Sequence, residues 1–136
     1  MMPPEQVKLK IMTEWLRKAD ADMKLAEHLV GEGVFFSAAA FHSQQAAEKY
    51  LKGFLAWWQI DFPRTHDLEK LLDLVATVAP ELAGSLREII ILSPYGVELR
   101  YPGDRPEATP PEARQAVALA CKVRGAILPL LPGPLL

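Results

Sequence analysis

An all-α fold, an up-and-down bundle of about five helices, is what this sequence predicts, and three observations carry the prediction. Apolar residues recur at spacings of three and four along most of the 136 residues. Glycine and proline gather in the gaps between those runs. Ile89-Ile90-Ile91-Leu92 could be read as a buried strand, but one isolated strand has nothing to pair with.

Pro3-Pro4-Glu5-Gln6 leads into the first helix, since proline is tolerated at a helix start. From there to Val30, the residues Met12, Trp15, Leu16, Ala19, Met23, Ala26 and Val30 make one stripe. Glu14–Lys18 and Asp20–Lys24 add oppositely charged pairs four apart, and Gly31-Glu32-Gly33 ends the element. His28 falls on the outer face, where a solvated histidine is expected.

The second and most apolar helix spans Phe36 to Trp58 and stops before Asp61-Phe62-Pro63. Phe36, Ala40, Ala47, Leu51, Phe54, Leu55 and Trp58 form its inward stripe, while His42, Gln45, Lys49 and Lys52 share a polar face. Gln44 breaks the division. It lies between Ala40 and Ala47 on the apolar stripe, where a side-chain amide needs partners or a wet pocket. Such an amide either specifies packing or belongs to a binding site.

A third helix follows Arg64-Thr65-His66-Asp67, with Thr65 as its expected N-cap and Asp67 and Glu69 at the positive end of its dipole. It runs to about Val78 with Leu68, Leu71, Leu72 and Val75 inward. A fourth begins at Pro80, carries Leu82, Leu86, Ile89 and Ile90, and is kinked or ended by Ser93-Pro94. Arg100-Tyr101-Pro102-Gly103-Asp104-Arg105-Pro106 then reads as a turn-rich loop. The last helix starts near Pro110-Pro111-Glu112 and reaches about Leu128, with Ala113, Ala116, Val117, Ala120, Val123 and Ile127 inward. The Pro-rich apolar tail, residues 129–136, is expected to lack regular structure and to cover core or partner surface with its leucines. One domain fills residues 1–136, with its core at about 12–128.

Composition narrows the function. A formal charge of −2 with signs interspersed argues against a dedicated polyanion binder. One cysteine, Cys121, excludes an intramolecular disulfide and a multi-cysteine zinc site. His28, His42 and His66 lie on separate predicted elements, so no metal and no cofactor is expected. The beginning of the chain lacks the apolar core of a signal peptide, and the longest uncharged runs are too short to span a bilayer. A cytoplasmic protein without a membrane segment is the expectation. The adjacent large residues Trp57 and Trp58 cannot both enter one core, because neighbouring helix positions differ by about 100°. This apolar surplus predicts a homodimer.

Four segments resemble, in order, the motifs of small prokaryotic HEPN domains. They are Trp15-Leu16-x-Lys18-Ala19-x-x-Asp22, Phe41-His42-x-Gln44-Gln45-Ala46-Ala47-Glu48-Lys49-x-Leu51-Lys52, Thr65-His66-Asp67-Leu68 and Arg100-Tyr101-Pro102. The second is the most specific, and the similarity spans about Trp15 to Leu128. The resemblance implies a four- to five-helix bundle that usually dimerises. It also implies association with nucleotides and often a separately encoded minimal nucleotidyltransferase, as in a toxin–antitoxin-like pair. The residues expected to bind ligand or partner are His42, Gln44, Gln45, Lys49, Arg64, His66, Arg100 and Tyr101. Many HEPN proteins are metal-independent ribonucleases marked by arginine, four to six residues, then histidine. No arginine here meets that spacing: Glu69, Lys70 and Leu71 follow Arg64 at those positions, and Arg105, Pro106 and Glu107 follow Arg100. A binding module rather than an enzyme is therefore the leading reading. The rivals are an atypical ribonuclease using His66 and Arg100, for which RNA stays open as a substrate, and a purely structural helical dimer.

Overall fold

The computed structural model describes residues 4–96 and 107–133. Among these there is no strand, and the chain is all-α as expected. Three long helices dominate: α1 (Pro4–Glu32), α2 (Phe36–Trp57) and α5 (Pro110–Ile127). Between α2 and α5 lie α3 (Leu68–Ala76), α4 (Pro80–Ser85) and a 3₁₀ segment (Arg87–Gly96).

The turn from α1 to α2 takes only Gly33 to Phe35. Gly33, at φ 71°, terminates α1 with Val34 N–H donating to Leu29 O and Gly33 N–H to Val30 O. Phe35 is also left-handed, at φ 51°, and is 73% exposed. An aromatic residue rarely adopts that conformation. The two helices then run antiparallel, since Lys8 meets Trp57, Leu16 meets Gly53 and Asp22 meets Lys49. At the crossing Gly53 lets the backbones close up: a Cβ there would sit 3.0 Å from Leu16 Cδ2 and 3.4 Å from Trp15 Cβ.

The core is the expected one in outline. Met12, Leu16, Ala19 and Met23 of α1 and Ala40, Ala47, Leu51, Phe54 and Leu55 of α2 are buried together. Leu68, Leu71, Leu72 and Val75 of α3 and Ala116, Ala120, Val123 and Ile127 of α5 join them. The segment between α2 and α5 leaves α2 at His66 and returns at Gly96, both beside Gln44. Ser93 Oγ accepts from Leu68 N–H at 3.4 Å, and Arg87 Nη2 donates to Asp73 Oδ1 at 2.9 Å, which closes that excursion on itself.

Five local expectations change. The inward stripe of α2 does not extend to Trp58, which is half exposed and caps the helix; Trp57 is the better buried of the pair, beneath Lys8 Nζ at 4.0 Å. The helix ends before Pro63 can act, because Gln59 at φ 56° closes it with Ile60 N–H on Leu55 O. Asp67 rather than Thr65 caps α3: its carboxylate accepts from the N–H groups of Glu69 and Lys70, while Thr65 Oγ1 accepts from Asp67 N–H. A carboxylate satisfies the positive helix end better than a hydroxyl. The fourth helix is α only to Ser85 and tightens to 3₁₀ from Arg87, passing through Pro94. The tail begins with a 3₁₀ turn at Leu128–Leu130, where Pro129 stands at a position that needs no donor. Leu131 is buried and Leu130 is not.

At the start of α5 the expected boundary holds. Thr109 and Glu112 form a reciprocal capping box before Pro110. No helix among the described residues is long and apolar enough to cross a membrane.

Candidate functional site

Gln44 is the hub of a buried polar network on α2. It is fully buried, as the sequence placed it, and every polar atom of its amide is engaged. Its Nε2 donates to His66 O at 3.1 Å and to Glu48 Oε1 at 3.3 Å, and its Oε1 accepts from Gln45 Nε2 at 2.7 Å. Gly96 lies against the same amide: a Cβ there would be 3.1 Å from Gln44 Cδ. The amide thus staples the central helix to the loop before α3.

Beneath it sits Glu48, only 2% exposed. Its Oε1 accepts from His66 Nδ1 at 2.7 Å and its Oε2 from Lys52 Nζ at 2.9 Å. Lys52 does not share the solvated polar face proposed for it. It is 6% exposed, with its ammonium 5.4 Å from the Trp15 ring centroid and 5.8 Å from that of Phe62. Those two rings meet edge-on at 5.9 Å. A buried ion pair is held here by an aromatic wall and two further donors, the condition under which such a pair survives desolvation.

Facing a carboxylate, His66 Nδ1 carries the proton, so Nε2 is the ring nitrogen turned away from Glu48. The imidazole is 66% exposed. His42 repeats this arrangement on the other side of α2. Its Nδ1 lies 2.8 Å from Asp22 Oδ1, and Lys49 Nζ donates to Asp22 Oδ2 at 2.5 Å. Two imidazoles are therefore each oriented by a carboxylate, with Gln45 between them on the open edge of the helix.

Of the residues expected to bind, Gln44, Gln45 and His66 are directly linked, and His42 and Lys49 are joined through Asp22. Arg64 is exposed on the same loop as His66. Arg100 and Tyr101 lie outside the described residues, as does the pairing of Arg100 with His66. Glu48, Asp22, Trp15 and Phe62 are not among the residues expected to bind, yet all four take part in these networks. Glu48 was detectable: it follows Gln44 by four residues on the inward side and so breaks the apolar stripe in the same way.

A second network ties three helices together. The buried Tyr50 hydroxyl donates to Asp20 of α1, and Arg124 Nε of α5 donates to the same carboxylate oxygen at 3.0 Å. Burial first, then the hydrogen bond to Asp20 and its charge, raise the Tyr50 pKa far above the usual phenol value. The linkage sign is definite. A raised folded pKa means that the stability is complete below the unfolded value, near 10, and is lost as pH rises beyond it. Urea midpoints measured from pH 8 to 11 should fall in the native chain above pH ~10. Tyr50→Phe should remove that component of the fall.

Among the described residues no group of three or more His, Cys, Asp or Glu could hold a metal ion. Curated proteins offer no match to the chain. Two solved structures do match. One is TT1696 from Thermus thermophilus, 31% identical, with a TM-score of 0.70 over 88% of this chain and 98% of that one. The other is ST0689, described as an archaeal HEPN homologue, 25% identical, with a TM-score of 0.62 over 85% of this chain and 97% of that one. The motif carrying Gln44, Gln45, Glu48 and Lys49 thus lies in a fold shared with a HEPN homologue, and the HEPN domain itself matches residues 12–129. The chain belongs to the HEPN domain family.

Proposed function

We propose that this HEPN domain is a nucleotide-associated binding module. It acts as a homodimer beside a separately encoded nucleotidyltransferase, in a toxin–antitoxin-like pair. The observation that carries the reading is the Gln44–Glu48–His66 network: a buried amide and a buried carboxylate fix an exposed imidazole in one orientation. Gln45 is bonded to Gln44 directly, Arg64 is exposed on the loop that carries His66, and Lys49 is held on Asp22 one turn along α2 from Gln45, groups of the kinds suited to a base edge and a phosphate. The dimer is supported by exposed Val7, Ile11 and Leu25 along α1 and by Val34, Phe35 and Trp58, a surplus of large apolar surface for one small bundle.

Gln44→Leu tests the site. Filling the space while deleting three hydrogen bonds should cost about 1–2 kcal/mol of stability. Calorimetric titration with AMP and ATP, and co-purification with the product of the neighbouring gene, should both fail in the variant and succeed in the native chain. Equal binding by the two proteins would remove the network from the site. No binding by either would remove the nucleotide reading. A sedimentation run showing only the 15.1 kDa monomer at micromolar concentration would remove the dimer.

One observation favours a second reading. An imidazole with Nδ1 anchored on a carboxylate and Nε2 outward is arranged for proton transfer, as a metal-independent ribonuclease requires. That reading expects RNA cleavage in the presence of a chelator, abolished by His66→Gln.

A further inference from the structure

On the side of the bundle where α1 meets α5 there is a cleft of about 280 Å³ that the polar face of α2 does not reach. Asp20, Met23, Lys24 and Glu27 line it from α1, and Cys121, Arg124 and Gly125 from α5. The size lies near the lower edge of small-molecule sites, which run from about 300 to 1,000 Å³.

Three features make it a candidate site. First, Arg124 is held in place from behind. Asp20 takes its Nε–H at 3.0 Å, and Asp20 is itself fixed by the buried Tyr50 hydroxyl, yet the Arg124 side chain remains 45% exposed. A guanidinium fixed at Nε presents its outer N–H groups as a fork for a planar carboxylate. Second, Lys24 and Glu27 stand on the rim with opposite charges, and neither makes a salt bridge among the described residues. Third, Gly125 sits within α5 at ordinary helical φ, and a Cβ built on it meets nothing within 4 Å. Packing in this chain does not require glycine there, and alanine is the better helix former. The missing side chain leaves the cleft open.

Charge then selects the ligand. The lining holds two carboxylates and two cations, so a dianionic phosphate would go unmatched. A molecule with one carboxylate and one ammonium is matched at both ends. We propose that the α1–α5 cleft binds a free α-amino acid, its carboxylate on Arg124 and Lys24, its ammonium on Glu27, and its side chain over Met23 and the gap at Gly125. The site is separate from the α2 network and does not depend on the nucleotide reading.

The test is an amide chemical-shift titration of the full chain with each standard L-amino acid at millimolar concentration. The comparison probes are the matching amino-acid amides, simple carboxylic acids without the amine, inorganic phosphate and AMP. At least one amino acid should give saturable shifts confined to residues 20–27 and 121–125, and its amide and its amine-free analogue should not. Arg124→Gln should weaken binding about tenfold or more. Gly125→Leu, which fills the cleft without meeting a neighbour at Cβ, should keep the helical spectrum and abolish binding. The proposal is overturned if no amino acid shifts those residues, if Gly125→Leu binds as well as the native chain, or if phosphate or a plain carboxylic acid binds as tightly.

Discussion

Glu48→Ala is expected to destabilise the fold by about 3–5 kcal/mol. The reason lies in what it strands. Lys52 Nζ would remain between Trp15 and Phe62 with no counter-ion, and Gln44 and His66 would each lose a partner. For a domain of this size that loss corresponds to a fall in Tm on the order of 10–20 °C. Lys52→Met alone should cost less, because methionine suits an aromatic wall and Glu48 keeps His66 and Gln44 as donors. The decisive measurement is the double variant Glu48→Gln/Lys52→Met. It should recover much of the stability lost in Glu48→Ala, since both buried charges leave together. If the losses of Glu48→Gln and Lys52→Met, measured singly, instead add up in the double variant, the pair is not acting as a desolvated unit.

The second large effect belongs to Gly53. Gly53→Leu should cost about 3 kcal/mol, because the new side chain must occupy the space that Leu16 and Trp15 already fill. Gly53→Ala is the informative control. Its Cβ would touch the flexible end of Leu16 at 3.0 Å, a contact that a small rotation relieves, and alanine recovers about 1 kcal/mol of helix propensity. Near-neutral alanine beside costly leucine, measured by urea unfolding, is the expected pattern. Displacing Trp15 would also open the wall around Lys52, so Gly53→Leu and Glu48→Ala should be non-additive.

Much of this architecture was readable from periodicity. The four inward residues of α3 and most of the α5 stripe were placed correctly because apolar spacing reports a buried helix face directly. The burial of Gln44 was readable for the same reason: a polar residue inside an apolar stripe is conspicuous. Lys52 was not, since a lysine at helical spacing from other polar residues looks solvated. Its burial is tenable because of the Glu48 carboxylate and the rings of Trp15 and Phe62, one from another helix and one from a loop. Glu48 stands inward one turn after Gln44, and its charge is tolerated there because Lys52, His66 and Gln44 all bond it. The Asp20–Tyr50–Arg124 contact joins residues on three helices, and no local pattern encodes it. The cap of α3 was misassigned between two competent residues, Thr65 and Asp67, whose side chains both bind backbone amides in that turn.

The three-residue turn at Gly33–Phe35 bears on how the chain folds. It joins the two longest helices, so their interface can form with little loop closure, and the α1–α2 hairpin is suited to be an early kinetic unit. The other long helix, α5, must find its seat on that hairpin from a distant part of the chain, and Arg124 reaches Asp20 only when it arrives. Substitutions at the α1–α2 crossing should therefore act mainly on the folding rate, and those at the Asp20–Arg124 contact mainly on the unfolding rate. A proteolytic attack on the native protein should then find α5 released before the hairpin opens.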